Sequence, residues 1–182
     1  YIFLHNTQLK FQLLFYMSGM TNNPITPMVL KTVAEQHRNI CGVKDSSMDF
    51  MTLLNYQVAM EKMDFELITG NDAQVLPALM AGAAGGIIAV ASVFPELSFS
   101  IWSNFKEGNI EAAKASQKTV LQIRELFRSV MPTIAHKEAL KLKGFDMGPS
   151  RFPTAFFVFS NLKWVINIFT IPTIVKETNS TQ

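Results

Sequence analysis

Four short, almost unbroken apolar stretches, each followed by a segment of helical periodicity, constrain this chain more than any other feature. They are Phe11-Gln12-Leu13-Leu14-Phe15-Tyr16, Ile40-Cys41-Gly42-Val43-Lys44, Phe65-Glu66-Leu67-Ile68-Thr69 and Gly85-Gly86-Ile87-Ile88-Ala89-Val90. Each has the length of a strand. Apolar residues on nearly every position, rather than on alternate ones, are the pattern of strands buried on both faces. Strand and helix then alternate four times at roughly 22–28 residues, which points to an α/β fold with a parallel sheet.

The helical segments carry their own start signals. Thr26 supplies an N-cap and Pro27 suits the first helical position, so Val29, Leu30, Val33 and Ala34 predict a helix from about 27 to 37. Ser46 with Asp49 three residues later resembles a capping box opening a helix through Leu53, Leu54 and Val58. Asn71 or Asp72 can cap a helix through Leu76, Leu79 and Met80, and another runs from about Pro95 to Phe105. Beyond Gly108, Asn109 can cap a long helix with Val120, Ile123, Phe127 and Val130 on its apolar face. Pro132 leads into a last helix over 133–142.

Composition narrows the function classes. With 48% hydrophobic and 16% charged residues among 182, global disorder is excluded. Sixteen basic residues against fourteen acidic ones, scattered along the chain, give +2 and argue against nucleic acid as a partner. The single cysteine, Cys41, and three separated histidines, His5, His37 and His136, supply neither an internal disulfide nor a metal cluster nor a hydrolytic triad. A reducing, cytoplasmic setting is expected. The ten methionines read as core filling. Tyr1-Ile2-Phe3-Leu4-His5 has the look of a chain cut into rather than begun. The apolar stretch from Ala155 to Val175 is interrupted by Asn161, Lys163, Asn167 and Pro172, which argues against a membrane span.

Two strand ends carry residues with chemical potential. Lys44 closes its strand where parallel α/β sheets gather functional side chains. It reads either as a solvated strand terminus or as a nucleophile, since apolar surroundings favour a neutral amine, and a neutral amine attacks a ketone to form a Schiff base. Tyr16 closes another strand and reads either as a packed rim residue or as a proton relay. Gly82-Ala83-Ala84-Gly85-Gly86 lacks the Lys-Ser/Thr of a phosphate loop and precedes a strand, so a nucleotide site is not expected.

Several segments together resemble one family. Ile40-Cys41-Gly42-Val43-Lys44-Asp45-Ser46-Ser47 is similar to the Schiff-base lysine motif of the class I pyruvate-dependent aldolases related to dihydrodipicolinate synthase and N-acetylneuraminate lyase. Ile68-Thr69-Gly70-Asn71-Asp72, followed by Gly82-Ala83-Ala84-Gly85-Gly86-Ile87-Ile88, resembles the family's next two strand ends. His136-Lys137-Glu138-Ala139-Leu140 and Gly148-Pro149-Ser150-Arg151-Phe152-Pro153 resemble its C-terminal helical region.

The resemblance implies a (β/α)₈ barrel, of which residues 1–108 would be the last four βα units, 109–153 a C-terminal helical region and 154–182 a divergent apolar tail. It implies a pyruvyl unit held as an imine on Lys44, with no separate cofactor, and Tyr16 as proton relay. Gly70, Asn71 and Ile87 would line the substrate pocket. The partners implied are a keto acid and an aldehyde, and a homo-oligomer, dimer or tetramer, or pairing with a complementary half-barrel. Tyr16-Met17-Ser18-Gly19 departs from the family's Tyr-Asn-x-Pro. Met20 stands near where dihydrodipicolinate synthases carry a carboxylate-binding arginine. That departure favours an aldolase for 2-keto-3-deoxy sugar acids, of the 2-keto-3-deoxygluconate type. The alternatives are a 4-hydroxy-tetrahydrodipicolinate synthase and an inactive half-barrel.

Overall fold

The computed structural model describes residues 13–17, by their backbone, and residues 24–129 and 131–151. The expectations placed on His5, Phe11, Gln12, Met20, Val130 and the stretch after Arg151 lie outside these residues. The chain divides into two compact units, residues 1–87 and 88–182.

The first unit is a parallel α/β layer. Its strands are β1 (Leu13–Met17), β2 (Ile40–Asp45), β3 (Glu66–Thr69) and β4 (Gly85–Gly86), paired in sequence order with every pair parallel. Helices α1 (Pro27–Gln36), α2 (Phe50–Met60) and α3 (Val75–Met80) make the crossovers, α3 after a short 3₁₀ turn (Asp72–Gln74). As anticipated, Thr26 caps α1: its hydroxyl accepts the Val29 N–H at 3.3 Å, with Pro27 at the first helical position.

The core of this unit lies between sheet and helices. Leu30 and Ala34 of α1 and Leu53, Tyr56 and Met60 of α2 close over Ile40, Val43 and Leu67. Leu30, Val43 and Tyr56 have no exposed surface, and each such side chain contributes about 1.5–3 kcal/mol of transfer free energy. Between Leu13 and Leu14 the register of β1 on β2 shifts by one residue, with Ile40 and then Gly42 as successive partners. The irregularity accommodates Cys41 and leaves Tyr16 paired with Lys44.

Two expectations need correction here. The capping residue of α2 is Asp49 rather than Ser46. The Asp49 carboxylate accepts the Met51 N–H at 3.0 Å, a shorter reach than the Ser46 box requires. The fourth strand is two residues long, not six. β3 ends at Thr69 and turns into the 3₁₀ segment, so β4 has a ladder only at Ile68↔Gly85 and Thr69↔Gly86, with the Ile87 N–H reaching the Thr69 carbonyl at 2.9 Å. Apolar composition cannot extend a strand past the end of its partner.

The second unit begins with a 3₁₀ turn (Val90–Ser92) and is otherwise helical: α4 (Pro95–Lys106), α5 (Ile110–Arg128) and α6 (Pro132–Leu142). On α5, Ala113, Gln117, Val120, Ile123 and Phe127 are buried at three- and four-residue spacing, one stripe of the helix. Phe127 packs against the ring of His136 on α6, centroids 4.4 Å apart. Gly108 and Gly144, at φ +79° and +91°, sit just beyond α4 and α6, where the left-handed conformation that ends a helix favours glycine. Asn109 occupies the N-cap position of α5 but its side chain accepts no helix N–H; its amide N–H donates to Glu107. Among the described residues no helix is long and apolar enough to cross a membrane.

Candidate active site

The C-terminal ends of β1, β2 and β3 lie side by side, and their register decides which residues meet. Tyr16 pairs with Lys44, and Lys44 with Ile68, so the backbones of Tyr16 and Lys44 are neighbours at one edge of the sheet. The side chain of Tyr16 falls outside the described residues.

Lys44 is half-buried, and the end of its side chain packs against Gly70. A Cβ on Gly70 would lie 2.8 Å from Lys44 Cε and 1.8 Å from Ser46 Oγ, distances no methyl group can occupy. A side chain at position 70 would therefore force Ser46 and the end of Lys44 to move. Lys44, Ser46 and Gly70 crowd one small volume at the strand ends. The Ser46 hydroxyl is buried there and makes no hydrogen bond.

A polar lattice behind this volume joins the loop after β2 to the loop after β3. The Asp45 carboxylate accepts the Ser47 N–H at 2.8 Å and the Ser47 hydroxyl at 3.1 Å. The same hydroxyl lies 3.1 Å from the Asp49 carbonyl and, having one proton, serves one acceptor at a time. From the other loop, Asn71 accepts the Ala73 N–H at 3.1 Å and donates to the Ser47 carbonyl at 3.4 Å. Gln74 donates to the Met48 carbonyl at 3.3 Å. The Gly70 N–H, at 2.6 Å from the Asp45 carbonyl, ties the two strand ends directly.

Asp45, Thr69 and Asn71 are buried within this lattice, and Asp72, next in sequence to Asn71, is buried too. Burial raises the pKa of Asp45, opposed by the two Ser47 hydrogen bonds and assisted by the Asp49 charge. Burial likewise raises Tyr56, with the Asp45 charge adding to it, and the Tyr56 hydroxyl donates to the Ile25 carbonyl.

Of the residues singled out in the sequence, Lys44 and Gly70 are thus in contact. Asn71 sits beside them with its amide engaged in holding the loops. Ile87 follows β4, its N–H committed to Thr69 and its side chain about half exposed. Sequence reasoning passed over Asp45 as part of a motif. The available signal was strand alternation, which sets position 45 on the same face as buried Val43 and so puts an acid where apolar residues belong. No group of acids, histidines and cysteine able to hold a metal occurs among the described residues.

Comparison with known proteins gives this arrangement its context. Residues 4–159 match the Dihydrodipicolinate synthetase family. An uncharacterized DapA-like lyase of Pyrococcus horikoshii is 31% identical over 163 residues, covering 85% of this chain and 56% of that protein. A prophage protein of the dihydrodipicolinic acid synthase family from E. coli K12, solved in complex with pyruvate, superposes with a TM-score of 0.77 at 23% identity, over 91% of this chain and 56% of that one. The sialic acid aldolase of Ruminococcus gnavus superposes at 0.81 with 20% identity, over 92% and 56%. The chain spans about half the length of the relatives it matches. A parallel α/β sheet with a lysine at a strand end and a sequence match over most of the chain lead to one conclusion: this chain belongs to the dihydrodipicolinate synthetase family.

Proposed function

We propose that the chain is the lysine-bearing half of a class I aldolase, a carbon–carbon lyase acting through an imine on Lys44. The observation that carries this reading is the placement of Lys44: it is the penultimate residue of β2, pairs in register with Tyr16, and has its Cε held against Gly70, in a chain of this family. In parallel α/β sheets, ligands bind at the carboxyl ends of the strands.

In this reading the Lys44 amine adds to the ketone carbon of a 2-keto acid and water leaves, giving a protonated imine. The imine withdraws electrons from the bond between the third and fourth carbons. Loss of the proton from the C4 hydroxyl then releases an aldehyde and leaves an enamine. Protonation of the enamine at the third carbon and hydrolysis of the imine return pyruvate and the free lysine. Tyr16, beside Lys44 in the backbone register, is the proposed carrier of the hydroxyl proton, and Gly70, Asn71 and Ile87 border the pocket. The four strands correspond to half of a (β/α)₈ barrel, which the span of about half the relatives' length supports.

The substrate class proposed is 2-keto-3-deoxy sugar acids, on the ground that Met20 stands near where a carboxylate-binding arginine would be needed for a semialdehyde acid. A second reading, a 4-hydroxy-tetrahydrodipicolinate synthase, is favoured by the family match itself and differs in condensing pyruvate with aspartate semialdehyde. The half-length match also favours a third, a half-barrel without turnover. Borohydride reduction in the presence of pyruvate tests the chemistry common to the first two. The expected result is a pyruvate-derived adduct on the peptide carrying Lys44, absent in Lys44→Ala. Absence of the adduct from the wild-type chain, even with a complementary half-barrel supplied in trans, would overturn the aldolase reading.

A further inference from the structure

We infer that Asp45 is a positioning residue for Lys44, its carboxylate pinning the turn after β2 while its carbonyl pins the end of β3. The inference rests on the reading of Lys44 as the imine-forming residue.

Strand alternation turns the Asp45 side chain to the face opposite Lys44, so it acts on Lys44 only through the backbone and the neighbouring loop. Both of its attachments converge on the space where Lys44 ends. The carboxylate holds Ser47 by N–H and hydroxyl at 2.8 and 3.1 Å. This fixes the backbone on either side of Ser46. The carbonyl holds the Gly70 N–H at 2.6 Å. Ser46 Oγ and Lys44 Cε are the two groups that fill the space above Gly70. One residue thus holds the backbone on both sides of the lysine end, at Ser46 and at Gly70.

The residue is also an expensive choice for a purely structural role. Asp45 is 2% exposed, and no ion pair among the described residues includes it. The titratable groups around it are Asp49 across the turn and Tyr56 on α2, neither of which neutralises a carboxylate, with Lys44 adjacent on its own strand turned to the other face. An asparagine could keep the bond from the Ser47 N–H without a desolvated charge.

The test is the rate of reductive trapping of pyruvate on the full chain, measured from acid to neutral pH for the wild type, Asp45→Asn and Ser47→Ala, with thermal melting recorded alongside. Asp45→Asn is expected to melt at or above the wild-type temperature. Its maximal trapping rate should nevertheless fall by about tenfold or more, the scale of small misplacements near a reacting group, with half-saturating pyruvate little changed. Ser47→Ala removes a hydrogen bond that favours the carboxylate, so its acid limb should move to higher pH. In Asp45→Asn the component of that limb belonging to Asp45 should vanish.

Wild-type trapping rate and pH profile in Asp45→Asn would overturn the role of Asp45 and leave the Lys44 reading intact. A wild type left unlabelled even with a complementary half-barrel supplied in trans would instead sink the Lys44 reading, and this inference with it. Should Asp45→Asn fail to fold, Ser47→Ala decides: an unchanged rate and acid limb overturns the inference, and a slower rate with a shifted limb supports it.

Discussion

The strand ends of the first unit and the helices of the second bury different kinds of group. Around Lys44, four polar side chains (Asp45, Thr69, Asn71 and Asp72) are buried together. In the second unit the buried polar side chains among the described residues are Gln117 and Thr119, both on α5, and Thr119 bonds back to the Ala115 carbonyl of its own helix. Burying polar groups is unfavourable unless they are hydrogen-bonded, and a lattice of them is worth keeping where geometry has to be fixed. The helical unit is held by apolar burial, and the strand ends by polar connections that define the position of a lysine.

The contrast can be broken most forcefully from the helical side. Phe127→Ala removes a ring that is 2% exposed and packed on His136, and should cost about 3–5 kcal/mol of stability as seen in denaturant or thermal unfolding. Trapping at Lys44, measured well below the transition, should stay within about twofold of wild type, so a large loss there would show that the two regions are not distinct in role.

The converse substitution is Gly70→Ala. Its methyl would intrude on Ser46 and Lys44, and trapping should fall about 100-fold while the chain remains folded. Near-normal trapping would mean that the lysine end has room to move and that the lattice does not define it.

A smaller effect follows from Asp45 and pH. Its folded pKa is raised, so across the window from its ordinary value near 3.8 up to the folded value the native chain holds a proton that the unfolded chain releases. Stability therefore falls with rising pH through that window and levels off above it, opposite to a salt-bridged aspartate. Unfolding of Asp45→Asn as a function of pH should lack this decline. The smallest effect is expected at Asn109→Ala. Since Asn109 bonds Glu107 rather than the helix end, stability should change by less than about 0.5 kcal/mol, where a working cap would be worth about 1.

Local pattern made much of the fold legible. The cap at Thr26 with Pro27, the buried stripe of α5, and the helix from Pro132 all follow from residues within a turn or two of one another, which is the range over which periodicity and capping act. The misreadings arise where another segment decides. Gly85 to Val90 is apolar enough for a long strand, yet pairing stops where β3 stops. Ser46 has a capping residue's spacing, yet its hydroxyl is buried against Gly70 and Asp49 takes the cap. Asn109 stands at a helix start, yet Glu107 takes its amide.

By itself the sequence determined the order of strands and helices, the parallel character of the sheet, and the arrival of Lys44 at a strand end. These depend on which residues are apolar and how often they recur, and no distant contact alters that. Tertiary structure alone decided that Gly70 would lie beneath the end of Lys44, that Ser46 would fill the same space, and that a buried Asp45 would hold both strand ends. Those facts come from the register of β2 on β3, set by the pairing of Lys44 with Ile68 and Asp45 with Thr69. A shift of one residue in that pairing would send every side chain to the other face and separate the group.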